Sequence, residues 1–366
     1  MPLTTKKTAG FTLIEFLVAV ALGLIVLAAT MQLFKGGMDA TILVSQQSEM
    51  QQNVRAALNL IAKDVGMAGS GLPSGGFPLP NGANATPSLF AVDSVRAWLN
   101  NNTYPAGLVG GAPVSNYLYG IIPGPSNGME LGGPTTLTAT GQGADATTVV
   151  YQDYSFPLNQ YTITFPGAPP DGTTINLAPP SPAPAGFPAI LSPSGIQVGD
   201  LILLNNPQGW AVGEVTGIGA GGTSLTFADR DPLNINQSTA AKGNIKYIAS
   251  GGPTVATRVW AITYFIEVPG NGQPPRLMRQ VNGQKPQPVA DNIIGLNFTY
   301  DMCDGTNGPT CANISDPIGS GYSPNQIRKV NIQVMGQSML SYGNRSKSMA
   351  LSSAVSTRSL AFKDRY

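Results

Sequence analysis

The chain has 366 residues, a net charge of +1 and only 11 % charged residues, which argues against nucleic acid as a partner because such binders carry a basic stripe. It contains no histidine, so histidine triads, histidine general bases and most zinc and copper sites are removed. Gly 44 and Pro 31 together make up about a fifth of the chain without a collagen-like period, while 42 % of residues are hydrophobic; this predicts a loop-rich β body rather than disorder. The length suffices for a long N-terminal element plus one large or two small domains.

The chain begins with a short leader carrying Lys6, Lys7 and Gly10, followed by FTLIEF and an apolar run. From Phe16 to Phe34 there is no charge. At about 1.5 Å per residue this stretch spans roughly 28 Å, close to the ~30 Å hydrocarbon core, and predicts a transmembrane helix. Lys6 and Lys7 place its N-terminus on the cytoplasmic side. The rival, a cleaved secretory signal, fits poorly: AATMQLF is a weak cleavage region and the run is long. The helical pattern also continues past the run. Val54, Leu58, Ile61 and Val65 fall on one apolar stripe, with Arg55, Asn59, Lys63 and Asp64 off it. Gly66, Gly69, Gly71 and Pro73 break the pattern. One helix of roughly 55 residues, about 80 Å long, is predicted, apolar in its first half and amphipathic in its second. Glu15 stands at the start of the apolar run, where an ionised carboxylate costs on the order of 2–3 kcal/mol; taken alone, it also suits the positive end of a helix dipole.

Beyond the helix, 69–145 is poor in periodic signal and predicts loops with a few short strands. Strand-like runs follow at 147–153, 161–165, 200–206, 210–218, 224–228, 245–249, 256–268, 276–281, 294–301, 328–336 and 348–362. No helical crossovers separate them, so an antiparallel sheet or meander is expected. Val330, Ile332 and Val334 alternate with polar residues, as in a strand with one wet face. The proline-dense stretch 166–195 predicts an extended loop, and QPVADNII (287–294) a short helical turn. The expected fold class is therefore α+β: a long N-terminal helix packed on a mainly antiparallel β body with long Pro/Gly-rich loops.

Cys303 and Cys311, the only cysteines, bracket a turn-rich loop. They fit an exported protein with one disulfide, which would constrain the unfolded chain by roughly 2.5 kcal/mol; a pair of free thiols is the alternative. The nearby cluster of Asp301, Asp304 and Asn307 lacks the register and terminal glutamate of a calcium loop, so no metal is expected. Asp229–Arg230–Asp231 predicts a solvated hairpin. No serine stands in a nucleophile-elbow pattern. Trp98, Trp210 and Trp260 are the residues that would line a glycan site, but Trp260 shares a strand with Ile262 and Tyr264 and is expected in the core. No catalytic residue and no cofactor are expected.

The string GFTLIEF after a two-lysine leader and before a long apolar helix resembles the type IV prepilin signature. The resemblance implies cleavage by the prepilin peptidase between Gly10 and Phe11 and N-methylation of Phe11. It makes 1–10 a leader, 11–68 the pilin helix (membrane-spanning over about 11–34) and 69–366 an extracytoplasmic body. It further implies that Glu15 pairs with the N-terminal amine of a neighbouring subunit, each charge relieving the other in an apolar setting. RAALNLIAKDVGMAG (55–69), VGDLILLNNPQGWAVGEVTGI (198–218) and RLMRQVNGQKPQPVADNIIGLNFTYD (276–301) resemble PilW-type minor pilins. That implies a non-enzymatic subunit that primes or caps a pilus, with the peptidase, other minor and major pilins, the assembly platform and a tip adhesin as partners. It would wait in the inner membrane and move to the cell-surface filament. A J-type pseudopilin of type II secretion shares the same features, and an anchored exported adhesin or enzyme with a borrowed leader is a rival of another class.

Overall fold

The computed structural model describes residues 10–366 except 74, 81–105, 110–111, 126–127, 133–143, 241–242, 270–272, 303–311, 321, 339–345 and 362–366. The fold is α+β. One helix, α1, runs unbroken over Leu13–Met67, 55 residues. It contains no proline and is dominated by leucine, alanine, valine and isoleucine in its first half, so nothing interrupts its ladder. Past its end Gly69 takes φ 73, the left-handed conformation that glycine supplies at a helix C-terminus, and its N–H donates to Val150 O at 2.8 Å.

The chain divides into two compact units, Met1–Glu49 with Ser338–Lys347, and Met50–Gln337 with Ser348–Tyr366. In the first, large apolar side chains from Phe11 to Val44 lie exposed. Among the described residues, α1 is the helix long and apolar enough to cross a membrane.

In the second unit the strands follow in chain order: β1 (Phe77–Pro78), β2 (Ala106–Val109), β3 (Ala112–Leu118), β4 (Ile121–Gly124), β5 (Met129–Gly132), β6 (Ala146–Asp153), β7 (Thr162–Thr164), β8 (Thr174–Ala178), β9 (Leu201–Asn206), β10 (Gly209–Glu214), β11 (Gly217–Ile218) and β12 (Ser224–Thr226). After the helical turn α2 (Ile245–Ile248) come β13 (Val255–Pro269), β14 (Arg276–Val281), β15 (Gln287–Asp291), β16 (Ile293–Met302), β17 (Ala312–Ile314), β18 (Ile327–Gln337), β19 (Ser348–Ser356) and the turn α3 (Arg358–Ala361). The long strand β13 is the spine of an eight-stranded sheet. It pairs with β9 over Val255–Val259 and with β14 over Ile262–Glu267; β6 pairs over Arg258–Tyr264 and β5, the single parallel partner, over Ile266–Pro269. A second sheet has the order β17-β16-β18-β19.

The second half of α1 packs between these two sheets. Val54, Leu58, Ile61 and Val65 are buried as the stripe predicts, against Ile262, Tyr264 and Leu277 of one sheet and Phe298, Ile332 and Val334 of the other. Burial of each such side chain contributes about 1.5–3 kcal/mol. Gly336 lets the helix come close: a Cβ there would lie 2.5 Å from Val54 Cγ2. A second core lies under the small sheet β11-β12-β8-β7, around Ile175, Leu204 and Phe227.

Four local expectations are corrected. Residues 245–249 form the turn α2, not a strand, because Asn244 caps it by accepting from Tyr247 N at 2.8 Å, a local alternative to sheet pairing. QPVADNII does not form a helical turn: Gln287–Asp291 pairs with the edge of β14, and Asn292, at φ 63, turns the chain into β16. The final run is strand only to Ser356, then the turn α3. Within 166–195, expected as one extended loop, β8 is interposed.

Candidate functional site

The N-terminal end of α1 is built by a reciprocal cap. Thr12 is the last residue before the helix and Glu15 lies three further on, the spacing of a capping box. Thr12 N donates to Glu15 Oε2 at 3.0 Å, Thr12 Oγ1 donates to the same oxygen at 3.0 Å, and Glu15 N donates to Thr12 Oγ1 at 3.3 Å. Both donors use Oε2; Glu15 Oε1 accepts no hydrogen bond among the described residues. Gly10 and Phe11 are exposed, and a Cβ on Gly10 would meet nothing within 4 Å. The segment is thus open at the Gly10–Phe11 bond, with a carboxylate held in a fixed orientation one helical turn away.

This segment also decides what the chain is similar to. Residues 5–31 match the prokaryotic N-terminal methylation motif. The motif is the signal of type IV pilin-like prepilins; it implies processing by a prepilin peptidase and association with other pilins. Among solved structures, a type IV-like pilin from Thermus thermophilus is similar at 13 % identity, covering 44 % of this chain and 89 % of its own, with a TM-score of 0.17, a likeness too slight to bear on the fold. Comparison with curated proteins gives no significant match. The matched residues include Gly10, Phe11, Thr12 and Glu15, and the structure gives Thr12 its part as the cap of Glu15. The Thr12-x-x-Glu15 spacing, that of a capping box, is the sequence signal that would find this residue. Cys303 and Cys311 lie outside the described residues, as do Lys6, Lys7 and Trp98.

The amphipathic half of α1 carries a feature absent from the apolar-stripe reading. Asp64, expected off the buried stripe, is 3 % exposed. Its Oδ2 accepts from Tyr264 Oη at 2.6 Å and from Arg279 Nε at 3.2 Å, and Arg279 Nη2 lies 3.1 Å away. Its Oδ1 accepts from Tyr151 Oη at 3.3 Å. Burial, then the Asp64 carboxylate, pushes both tyrosine hydroxyls well up, so they stay protonated and act as donors. One helix carboxylate is therefore clamped by β6, β13 and β14 together. Beside it, Arg258 of β13 donates to Asp153 through Nε at 2.7 Å and through Nη1 to Gly195 O at 2.6 Å.

Asp231 is likewise not on a solvated hairpin. Asp229 and Arg230 are exposed, but Asp231 is buried and accepts from Asn236 N at 2.7 Å and Ile235 N at 3.0 Å. Burial, reinforced by a hydrogen bond and charge from Asp231, pushes Glu214 up to about 9. The folded state thus holds this proton more tightly than the unfolded chain, whose carboxyl has an ordinary pKa near 4.3. The group's contribution to stability is fully present below about pH 4 and is lost as pH rises through about 9. The chain is expected to lose stability steadily as pH rises across that window, read as a falling urea midpoint. Glu214→Gln, which keeps an acceptor for Leu233 N (3.2 Å in the native chain) and a donor for Asp231, should flatten the slope. A wild-type midpoint that is level from pH 5 to 9 would refute the assignment. Among the described residues no cluster of acidic or cysteine side chains could hold a metal ion.

Proposed function

We propose that the chain is a structural subunit of a type IV pilus, a PilW-like minor pilin that primes or caps assembly and enters the filament through α1. The observation that carries this reading is the methylation motif at 5–31, which runs from the leader into a helix that starts at Leu13 and whose large apolar side chains lie exposed as far as Val44. The peptidase would cut Gly10–Phe11, where no side chain of the described residues crowds Gly10, and methylate the new amine of Phe11. Glu15 would then pair with that amine on a neighbouring subunit, offering the oxygen its capping box leaves open. Removing an ammonium and a carboxylate from water is costly for each alone, so only the axial stagger that brings them together is stable. The subunit would sit in the inner membrane with its body outside the cytoplasm until recruited by the assembly platform and other pilins, and a tip adhesin would be a further partner. The β body carries no role in catalysis on this reading.

Mass spectrometry of the mature chain tests the first step. It is expected to begin at methylated Phe11, with Cys303 and Cys311 linked in a non-reducing digest. Gly10→Val should leave the leader attached, since the peptidase needs a small residue there. A mature chain beginning near residue 30 would mean a secretory signal and would remove the pilin reading, while two freely alkylated cysteines would remove the disulfide alone.

A further inference from the structure

Beside the Asp64 clamp the eight-stranded sheet opens into a cavity of about 350 Å³, at the small end of the roughly 300–1,000 Å³ of small-molecule sites. Its floor is Trp260 of β13, with Tyr151 of β6 directly opposite in register. Val281 and Pro193 add apolar surface. Trp260, expected in the core, is only half-buried, and the Arg258 guanidinium stacks 4.6 Å from its ring centroid.

The charges lining this cavity are already matched. Arg258 donates to Asp153, to the carbonyls of Gly195 and Ser194, and to Asp200 at 3.4 Å. Arg279 is held by Asp64. Two arginines therefore face three carboxylates, and burial pushes Asp200 up toward its neutral form, so no surplus positive charge remains to bind an anion. A cationic ligand would meet Arg258 already seated on the aromatic ring. What stays uncommitted are polar groups with no unmatched charge. Gln284 donates to Asp200 Oδ1 at 3.3 Å, which leaves its Oε1 open. The exposed Gln197 side chain, the Trp260 Nε1–H and Arg279 Nη1 have no hydrogen-bond partner among the described residues.

We propose that this cavity binds a neutral, hydroxyl-rich ligand, one or two pyranose rings of a glycan. The apolar face of a sugar ring matches Val281 and Pro193, with Trp260 beside them under the Arg258 guanidinium, and its hydroxyls, each donor and acceptor, match the mixed open groups of Gln197, Gln284 and Arg279. The site stands apart from the pilin reading, since no residue of it belongs to the N-terminal segment.

The test uses the full chain in a polyoxyethylene detergent, which has no sugar headgroup. Glucose, galactose, N-acetylglucosamine, maltose and lactose are titrated by saturation-transfer NMR, with glucuronate, inorganic phosphate and choline as charged controls. At least one neutral saccharide is expected to bind saturably, and none of the charged probes should displace it. Trp260→Leu and Gln284→Ala should each weaken binding about tenfold; the second, at a half-buried turn residue, decides the matter if the first fails to fold. The proposal is overturned if no neutral saccharide binds saturably, if Gln284→Ala leaves binding unchanged, or if a charged probe binds in the sugar's place.

Discussion

Replacing Asp64 by alanine is expected to cost about 3 kcal/mol of stability, the lower part of the range for breaking a buried ion pair. The loss has two sources. The Tyr264 hydroxyl, on a side chain with no exposed surface, would lose its 2.6 Å acceptor and keep a buried O–H with nothing to donate to, its oxygen accepting only from Arg279 Nε at 3.2 Å. Arg279 would keep its charge with no carboxylate beside it; its side chain is 28 % exposed, so water relieves part of that penalty, which is why the lower figure is taken. Asp64→Asn retains an acceptor for Tyr264 and should cost less. Adding Arg279→Met to Asp64→Ala should recover part of the loss, because the two residues act as a unit. Urea unfolding of the full chain in detergent reads all three variants. A loss below about 1 kcal/mol for Asp64→Ala would mean that the apolar stripe alone holds the helix on the sheets.

Glu15→Leu is expected to abolish or sharply reduce surface pili while membrane level, leader cleavage and folding of the β body stay normal. In the separate subunit the carboxylate is mildly unfavourable in an apolar setting, so its value arises only on assembly. The capping box supplies a sharper pair of variants. Glu15→Gln keeps the reciprocal bonds with Thr12, since glutamine serves equally at that position, but removes the charge. Glu15→Asp keeps the charge and shortens the reach by one methylene. If the carboxylate meets a neighbour's amine, glutamine should fail like leucine and aspartate should be partly active. If the residue only caps the helix, glutamine should assemble normally. Each variant is expressed in place of the native gene, and membrane level and piliation are measured together. Normal piliation with Glu15→Leu at normal protein level would sink the assembly role.

The N-terminal helix of this protein was legible in the sequence because its signals are local. An uncharged run of membrane length, a stripe at i, i+4, i+7 and i+11, glycines beyond its end and the GFTLIEF string each depend only on neighbours along the chain. The longest strands were legible for the same reason: Val255–Pro269 and Ile327–Gln337 each match their expected run within one residue at either end. What failed were short segments whose state is set by a distant partner or a single side chain. The edge of β14 recruits 287–291 as a strand, and Asn244 turns 245–248 into a helical turn. The polar residues of the body escaped for a related reason. Asp64, Asp231 and Glu214 look like surface charges when read singly. Burying a carboxylate is tolerable only with several donors converging on it or with a retained proton, and those come from residues up to 215 positions away. Trp260 likewise carries no mark in its strand to show that one flank borders a cavity. The sequence by itself determined the long helix, its two halves and the β-rich class; only the tertiary structure decided which charges go inside, because their cost is set by partners that folding alone brings together.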